Sequence, residues 1–281
     1  MCIVRPPAPG VNGRLDEPPH RRERPRMPRD RSDEARDRNR EAWNAGRYQA
    51  WVDALGTPAV EAARLAADPA QKLRRLLPHL GGDAAALRGR RVCVPQGSHG
   101  RVAVAFALLG AAATVLDFAE ENQRYALELA AAAGVAIDYR LGDVMEAGRL
   151  GLPPFDDVVM ELGIVHYHQD LSAFFAVIAQ LARPGGRLVL EEFHPVERLL
   201  FQGSAVAAGD YFRTELVIGD VPDPTGQGRR LGQCVLRPWT LGEIVTACIG
   251  AGFRLDRLEE HPDWTTPTRP GSFILAATRD P

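Results

Sequence analysis

Between Arg91 and Phe193, short β-rich runs alternate with alanine-rich helical runs, and this alternation limits the fold more than any other feature of the sequence. Strands are expected at Arg91–Pro95, Ala113–Asp117, Ala136–Leu141, Asp157–Glu161 and Arg187–Phe193, with helices at His99–Leu109, Glu120–Ala133 and about 170–182. Strands separated by single helices must run parallel, joined by right-handed crossovers with helices on both faces. The 281 residues suffice for one large α/β domain with appendages.

Outside this run the pattern changes. Three helical segments precede the first strand: one from about Arg36 whose 40–52 portion brings Asn44, Tyr48 and Trp51 to one face, then 57–67 and 69–79. After Phe193 a stretch to about Pro238 breaks the alternation, with a strand expected at Tyr211–Ile218. Regular structure returns with helix Thr240–Ala251 and strands Phe253–Leu258 and Ser272–Ala277. The predicted organisation is a basic leader at 1–40, a helical lid at 41–84, and a main domain at 85–281 whose insertion at 195–238 covers substrate.

Residues 1–40 hold seven prolines and 11 arginines against 7 acids, a composition that favours disorder, and Met27 offers an alternative start. With an overall charge of −2, the body after residue 40 is acidic, which argues against a nucleic-acid surface. The most apolar stretch, Val102–Leu116, is too short to span a membrane and the N-terminus lacks an export signal, so a cytoplasmic location is expected. Cys93 and Cys248 lie in apolar runs and read as buried thiols. Of the 34 basic residues only Lys72 is lysine; in a helical segment it reads as a surface residue, and lysine-centred chemistry is disfavoured.

The turn after the first strand, Gln96-Gly97-Ser98-His99-Gly100, places small residues where backbone can approach a ligand at a helix start. Twenty residues after Gly97, Asp117 ends the second strand, where a carboxylate can accept hydrogen bonds from ribose hydroxyls. Together these features point to a nucleoside-containing ligand.

The ordered set of motifs resembles the class I S-adenosylmethionine-dependent methyltransferases over about residues 85–281, and is similar to a narrower bacterial group of small-molecule methyltransferase-like proteins. Gly97-Ser98-His99-Gly100 resembles the family's first motif and Thr114-Val115-Leu116-Asp117-Phe118 its second. Leu141-Gly142-Asp143-Val144 is similar to the third, where the aspartate holds the adenine amino group, and Phe155 to Tyr167 to the fourth. The resemblance implies a Rossmann-like seven-stranded sheet, mostly parallel with the last strand antiparallel, and S-adenosylmethionine as cofactor. It places Gly97, Ser98, His99, Gly100, Asp117, Phe118, Asn122, Asp143, Val144, Glu161, Leu162 and Gly163 around that cofactor. Two departures stand out: the usual acid of strand one is replaced by Val94 or Pro95, and the glycine expected near Gln96 is missing.

A sulfonium methyl is already activated, so positioning supplies much of the rate, and a base is needed only when the acceptor carries a proton. His166, Tyr167, His168, Glu191, Glu192 and His194 fall at the carboxyl ends of strands four and five. His166 and His194 are the preferred pair, with Tyr167 beside them. Tyr48 and Trp51 on the lid and Tyr211 in the insertion are candidate substrate-covering residues; a fourth metal ligand is lacking, so no metal is expected. The expected activity is methylation of a small molecule, with a homodimer compatible and neither nucleic acid nor membrane as partner. One alternative keeps the cofactor but attacks its aminocarboxypropyl chain, releasing methylthioadenosine; another is a non-catalytic or nicotinamide-binding relative.

Overall fold

The computed structural model describes residues 29–201 and 206–281. Strands β1 (Arg91–Pro95), β2 (Ala112–Asp117), β3 (Asp138–Leu141), β4 (Phe155–Glu161), β5 (Ala182–Phe193), β8 (Phe253–Pro262) and β9 (Pro270–Arg279) form one sheet in the order β3-β2-β1-β4-β5-β9-β8. Only β9 runs against its neighbours. This is the expected doubly wound Rossmann-like sheet.

The central strands read as near-continuous apolar runs because both faces are covered. Helices α7 (Leu171–Leu181) and α8 (Leu241–Gly250) cover one face, where Phe174, Phe175, Ile178 and Ile244 pack on Val158, Met160 and Leu188. Helix α5 (Arg101–Leu108) covers the other through Val102 and Phe106, with α6 (Glu120–Ala132) contributing Tyr125 and Leu129 to an adjoining cluster. Asp170 accepts from the Ala173 amide to start α7, and Thr240 with Glu243 forms a reciprocal capping box at α8.

The helical segments before β1 are docked on this second face. Helices α1 (Arg29–Trp43), α2 (Arg47–Leu55), α3 (Pro58–Ala67) and α4 (Pro69–Lys72) follow one another, and Ala62 and Leu65 of α3 pack with Tyr125 and Leu129 of α6. Residues 29–40, expected in the leader, are helical; residues 1–28 lie outside the described residues. The helix expected through 40–52 is broken at Asn44–Gly46, where Gly46 adopts φ +75°. Asn44 turns away to accept from the Glu120 and Glu121 amides at the start of α6. The helix expected over 69–79 stops at Lys72, and Leu77–His79 forms a tighter turn around Pro78. Leu73, Leu76 and Leu80 are nevertheless buried there.

The insertion carries a two-stranded hairpin, β6 (Val217–Asp220) with β7 (Gln233–Leu236), in place of the single strand expected at 211–218. Asn39 of α1 docks on it like a strand residue: its Nδ2 donates to the Val235 carbonyl at 3.1 Å and its Oδ1 accepts the Val235 amide at 2.7 Å. Arg47 Nη1 donates to the Pro222 carbonyl at 2.7 Å while its guanidinium stacks between Trp43 and Trp51, and burial lowers its pKa to about 10. The two appendages therefore join into one cover.

At the opposite, amino-terminal edge of the sheet, fully buried Asp157 accepts from Arg90 Nε at 2.5 Å and Arg187 Nε at 2.7 Å. Asp157→Ala leaves both guanidiniums half-buried without their shared partner and is expected to cost about 3–5 kcal/mol, read as a lowered urea midpoint; an unchanged midpoint would show that the pairs contribute nothing net.

Candidate functional site

Two cavities open at the carboxyl edge of the parallel strands, under the cover. The first, about 290 Å³, is lined by Gln96, Gly97, Ser98 and His99 after β1, by Asp117, Phe118 and Asn122 after β2, and by Glu161, Leu162, Gly163 and Tyr167 after β4. Trp43, Trp51, Lys72 and Arg101 complete its wall. The second, about 340 Å³, is lined by Val165, His166, Glu192, Phe193 and Arg198 together with Arg213, Leu236 and Trp239 of the insertion and its exit. Both volumes lie near the lower end for small-molecule sites, roughly 300–1,000 Å³. A thin wall divides them: a Cβ added at Gly163 would lie 3.5 Å from Phe193 Cε2 and 3.7 Å from His166 Cε1.

The turn after β1 is tightly specified. A Cβ on Gly97 would come within 2.9 Å of the Val94 carbonyl, and Gly100, at φ +76°, leaves 2.5 Å to Ala126 Cβ. Gln96 and Ser98 also take left-handed conformations, φ +51° and +48°, which non-glycine residues adopt at a cost. Tertiary contacts hold them: Gln96 Oε1 lies 2.8 Å from His168 Nε2, and the Ser98 amide donates to Asp117 at 3.0 Å. The missing glycine is thus replaced by a side chain anchored to the loop after β4.

Asp117 is buried, which pushes its carboxyl pKa up, while the Ala119 and Ser98 amides and Asn122 pull it back. Asn122 accepts from Trp51 Nε1 at 2.8 Å, and Trp51 stacks on His99 at 4.1 Å between centroids. Trp51 therefore lines the first cavity. Tyr48 does not: its hydroxyl donates to Glu128 at 2.5 Å and its ring packs on Tyr125. Tyr211 lines neither cavity, because its hydroxyl accepts the Leu241 amide at the start of α8. Asp143 and Val144 also lie outside both cavity walls; Asp143 accepts the Met145 amide and lies 3.7 Å from Arg36 of α1, and Val144 is in the core.

The candidate bases divide. His166 lines the second cavity, and burial, with Arg198 and His168 nearby, holds its pKa well below the ordinary value, so the imidazole is neutral. His194 lines neither cavity. Its Nδ1 accepts the Val196 amide at 3.1 Å, which leaves the proton on Nε2 facing Glu260 at 2.8 Å, and no nitrogen lone pair remains. Tyr167 lines the first cavity, packed edge-on to Trp43 at 5.9 Å, its phenol pKa pushed up by burial. Glu191 pairs with Arg75 at 3.0 Å. Glu192 accepts four amides, those of Gly163 at 2.7 Å, Ile164 at 2.6 Å, Val165 at 3.1 Å and Phe193 at 2.7 Å. Those four bonds hold the wall between the cavities in shape.

Lys72, expected on the surface, lines the first cavity and donates to both oxygens of Glu161, at 2.5 and 2.7 Å. Sequence reasoning missed it because its partner is 89 residues away; the signal was its i,i+3 spacing from Arg75, which meets the neighbouring carboxylate. The first cavity suits a nucleoside-containing cation: glycine is required at its cradle, and two carboxyl side chains, Asp117 and Glu161, line it. In addition Ser98 Oγ and His99 Nδ1 are buried in its wall without a hydrogen-bond partner among the described residues.

Residues 96–190 match the family model described as a methyltransferase domain. This segment is similar to methyltransferase domains. It is 28% identical over 161 residues to a ubiquinone biosynthesis O-methyltransferase of Rhizobium leguminosarum, covering 57% of this chain and 59% of that protein. The same enzyme of Parvibaculum lavamentivorans is 28% identical over 184 residues, 64% and 66% of the two chains. The chain thus spans less than two thirds of the length of these relatives. The domain's fold is shared with an S-adenosylmethionine-dependent methyltransferase from Mesorhizobium loti, with a TM-score of 0.55 and 23% identity over 74% of this chain and 96% of that one. It is also shared with magnesium protoporphyrin IX methyltransferase from Synechocystis with bound SAM, with a TM-score of 0.54 and 19% identity over 86% and 95%. The first cavity, at the carboxyl edge of this segment's strands, is the candidate cofactor site.

Two outcomes follow. Glu192→Gln turns an acceptor into a donor against amide hydrogens, so stability should fall by about 1–3 kcal/mol and hydrogen exchange at Gly163–Val165 should accelerate; unchanged exchange there would refute the clamp. His168, buried and stacked on Phe174, has its pKa lowered to about 3. Its folded pKa lies below its unfolded value near 6.5, so the stability it contributes is complete above about pH 6.5 and declines as pH falls toward 3, by at most about 1.4 kcal/mol per unit. Its NMR imidazole shifts should stay those of the neutral ring at pH 5; protonation near 6.5 would contradict the burial.

Proposed function

We propose that this protein transfers a methyl group from S-adenosylmethionine to a small molecule held in the second cavity. The observation that carries this reading is the pair of cavities that meet at the Gly163 turn, one with a glycine cradle and two carboxyl side chains, the other with a neutral imidazole in a wall of mixed apolar and charged side chains. When bound, the cofactor supplies a methyl already activated on sulfonium, so this chain's task is to bind, align and dehydrate.

In this reading Asp117 and Asn122 take the ribose side and Gly97, Ser98, His99 and Gly100 form the cradle. Phe118 lies beside the nucleoside, while Leu162 and Gly163 shape the passage between cavities. Trp51 and Tyr167 present aromatic surface in the same cavity as the cationic sulfur, an attraction of about 0.5–2 kcal/mol per contact. His166 accepts the acceptor's proton where one must leave, its neutral state making the lone pair available. His194 positions β5 against β8 through Glu260 and takes no part in proton transfer. Asp143 reaches an adenine amino group only after Arg36 of α1 gives way. The setting that fits is the cytoplasm, where buried Cys93, Cys234 and Cys248 remain thiols.

Mass analysis of the nucleoside products with and without a metabolite extract tests this. S-adenosylhomocysteine should appear only when an acceptor is present, whereas methylthioadenosine formed from the cofactor alone would overturn methyl transfer. Once an acceptor is in hand, His166→Ala should lower kcat at least tenfold, and His194→Ala should lower Tm while leaving the pH profile of kcat unmoved.

A further inference from the structure

The cradle after β1 offers the cofactor's amino-acid end no charge, because β1 closes on Val94 and Pro95. A zwitterionic α-amino-carboxylate brought out of water needs both an anion and a cation, and an unpaired one would weaken binding severely. Only four charged side chains line this cavity among the described residues: Asp117, Glu161, Lys72 and Arg101. Arg101 Nε is paired with buried Glu61 at 2.6 Å, and Asp117 is engaged by the Ser98 and Ala119 amides on the β2 side. Lys72 and Glu161 remain, facing each other as a two-pronged, half-buried ion pair.

We propose that Lys72 and Glu161 are the subsite for the cofactor's α-amino-carboxylate, the Lys72 ammonium pairing with the ligand carboxylate and the Glu161 carboxylate with the ligand ammonium. The assignment rests on the cofactor site argued above. Geometry supports it. Asp117 ends β2 and Glu161 ends β4, with β1 between them, so the two carboxylates stand roughly 10 Å apart along the edge. That separation suits a ligand with ribose hydroxyls at one end and an amino-acid group at the other. An ion pair already present holds two charges at fixed positions, so the ligand's zwitterion meets preorganised partners of both signs. Lys72 terminates α4, which makes the helical segment before β1 a direct part of the cofactor site, beyond its role as cover.

Equilibrium binding of S-adenosylhomocysteine and of methylthioadenosine separates this role from a structural one. The two ligands share adenosine and thioether, and only the first carries the amino-acid group. Wild-type protein should prefer S-adenosylhomocysteine by at least tenfold. Lys72→Met, Glu161→Gln and the double variant, which leaves no lone buried charge, should each lose at least tenfold for S-adenosylhomocysteine while methylthioadenosine binding stays within about threefold. Retained methylthioadenosine affinity also shows that each variant is folded. Decarboxylated S-adenosylhomocysteine should bind Lys72→Met and wild type alike. Variants that keep full S-adenosylhomocysteine affinity, or lose both ligands equally, overturn this assignment alone. Wild-type protein that binds neither ligand overturns the cofactor reading and this assignment with it.

Discussion

A row of carboxylates at the carboxyl edge of the parallel sheet organises everything around the site. Asp117, Glu161, Glu191 and Glu192 lie at the ends of β2, β4 and β5, where the strands bring them together, Asp117, Glu191 and Glu192 buried and Glu161 half-buried. Like charges so placed must be answered individually. Asp117 is answered by two amides and Asn122, and Glu192 by four amides; Glu161 and Glu191 are answered by Lys72 and Arg75. The amide-bound pair shapes turns. The cation-bound pair ties the segment after α3 across the sheet edge.

That arrangement explains why the appendages form a single cover. With Lys72 and Arg75 fixed on the edge, α2 and α3 lie over α6, and α1 reaches the hairpin of the insertion through Asn39 and Arg47. Trp43 and Trp51 are held by the guanidinium between them, their rings in the wall of the first cavity. No helix among the described residues is long and apolar enough to cross a membrane, and the apolar surface of the helices before β1 is used in this docking.

What could be read from the sequence was what depends on near neighbours. Apolar runs of five to seven residues gave β1, β2 and β4 nearly to the residue, and Asp117 followed from its place after one of them. The glycine requirement at Gly97 and Gly100 was visible for the same reason. Roles set by distant partners were not legible. His194 loses its lone pair to Val196 and its proton faces Glu260 on β8; Asp143 is met by Arg36; Lys72 meets Glu161 across 89 positions. The helix break at Asn44–Gly46 likewise depends on Asn44 finding the amides of α6, a contact no local propensity encodes.

The carboxylate edge fixes how one ligand must lie along it. A crystal structure of the protein with S-adenosylhomocysteine measures this directly. The ribose should lie against Asp117, the amino-acid group between Lys72 and Glu161, and the sulfur by Gly163 facing the second cavity. A ligand lying elsewhere, or reversed so that its adenosine meets Lys72, would contradict it.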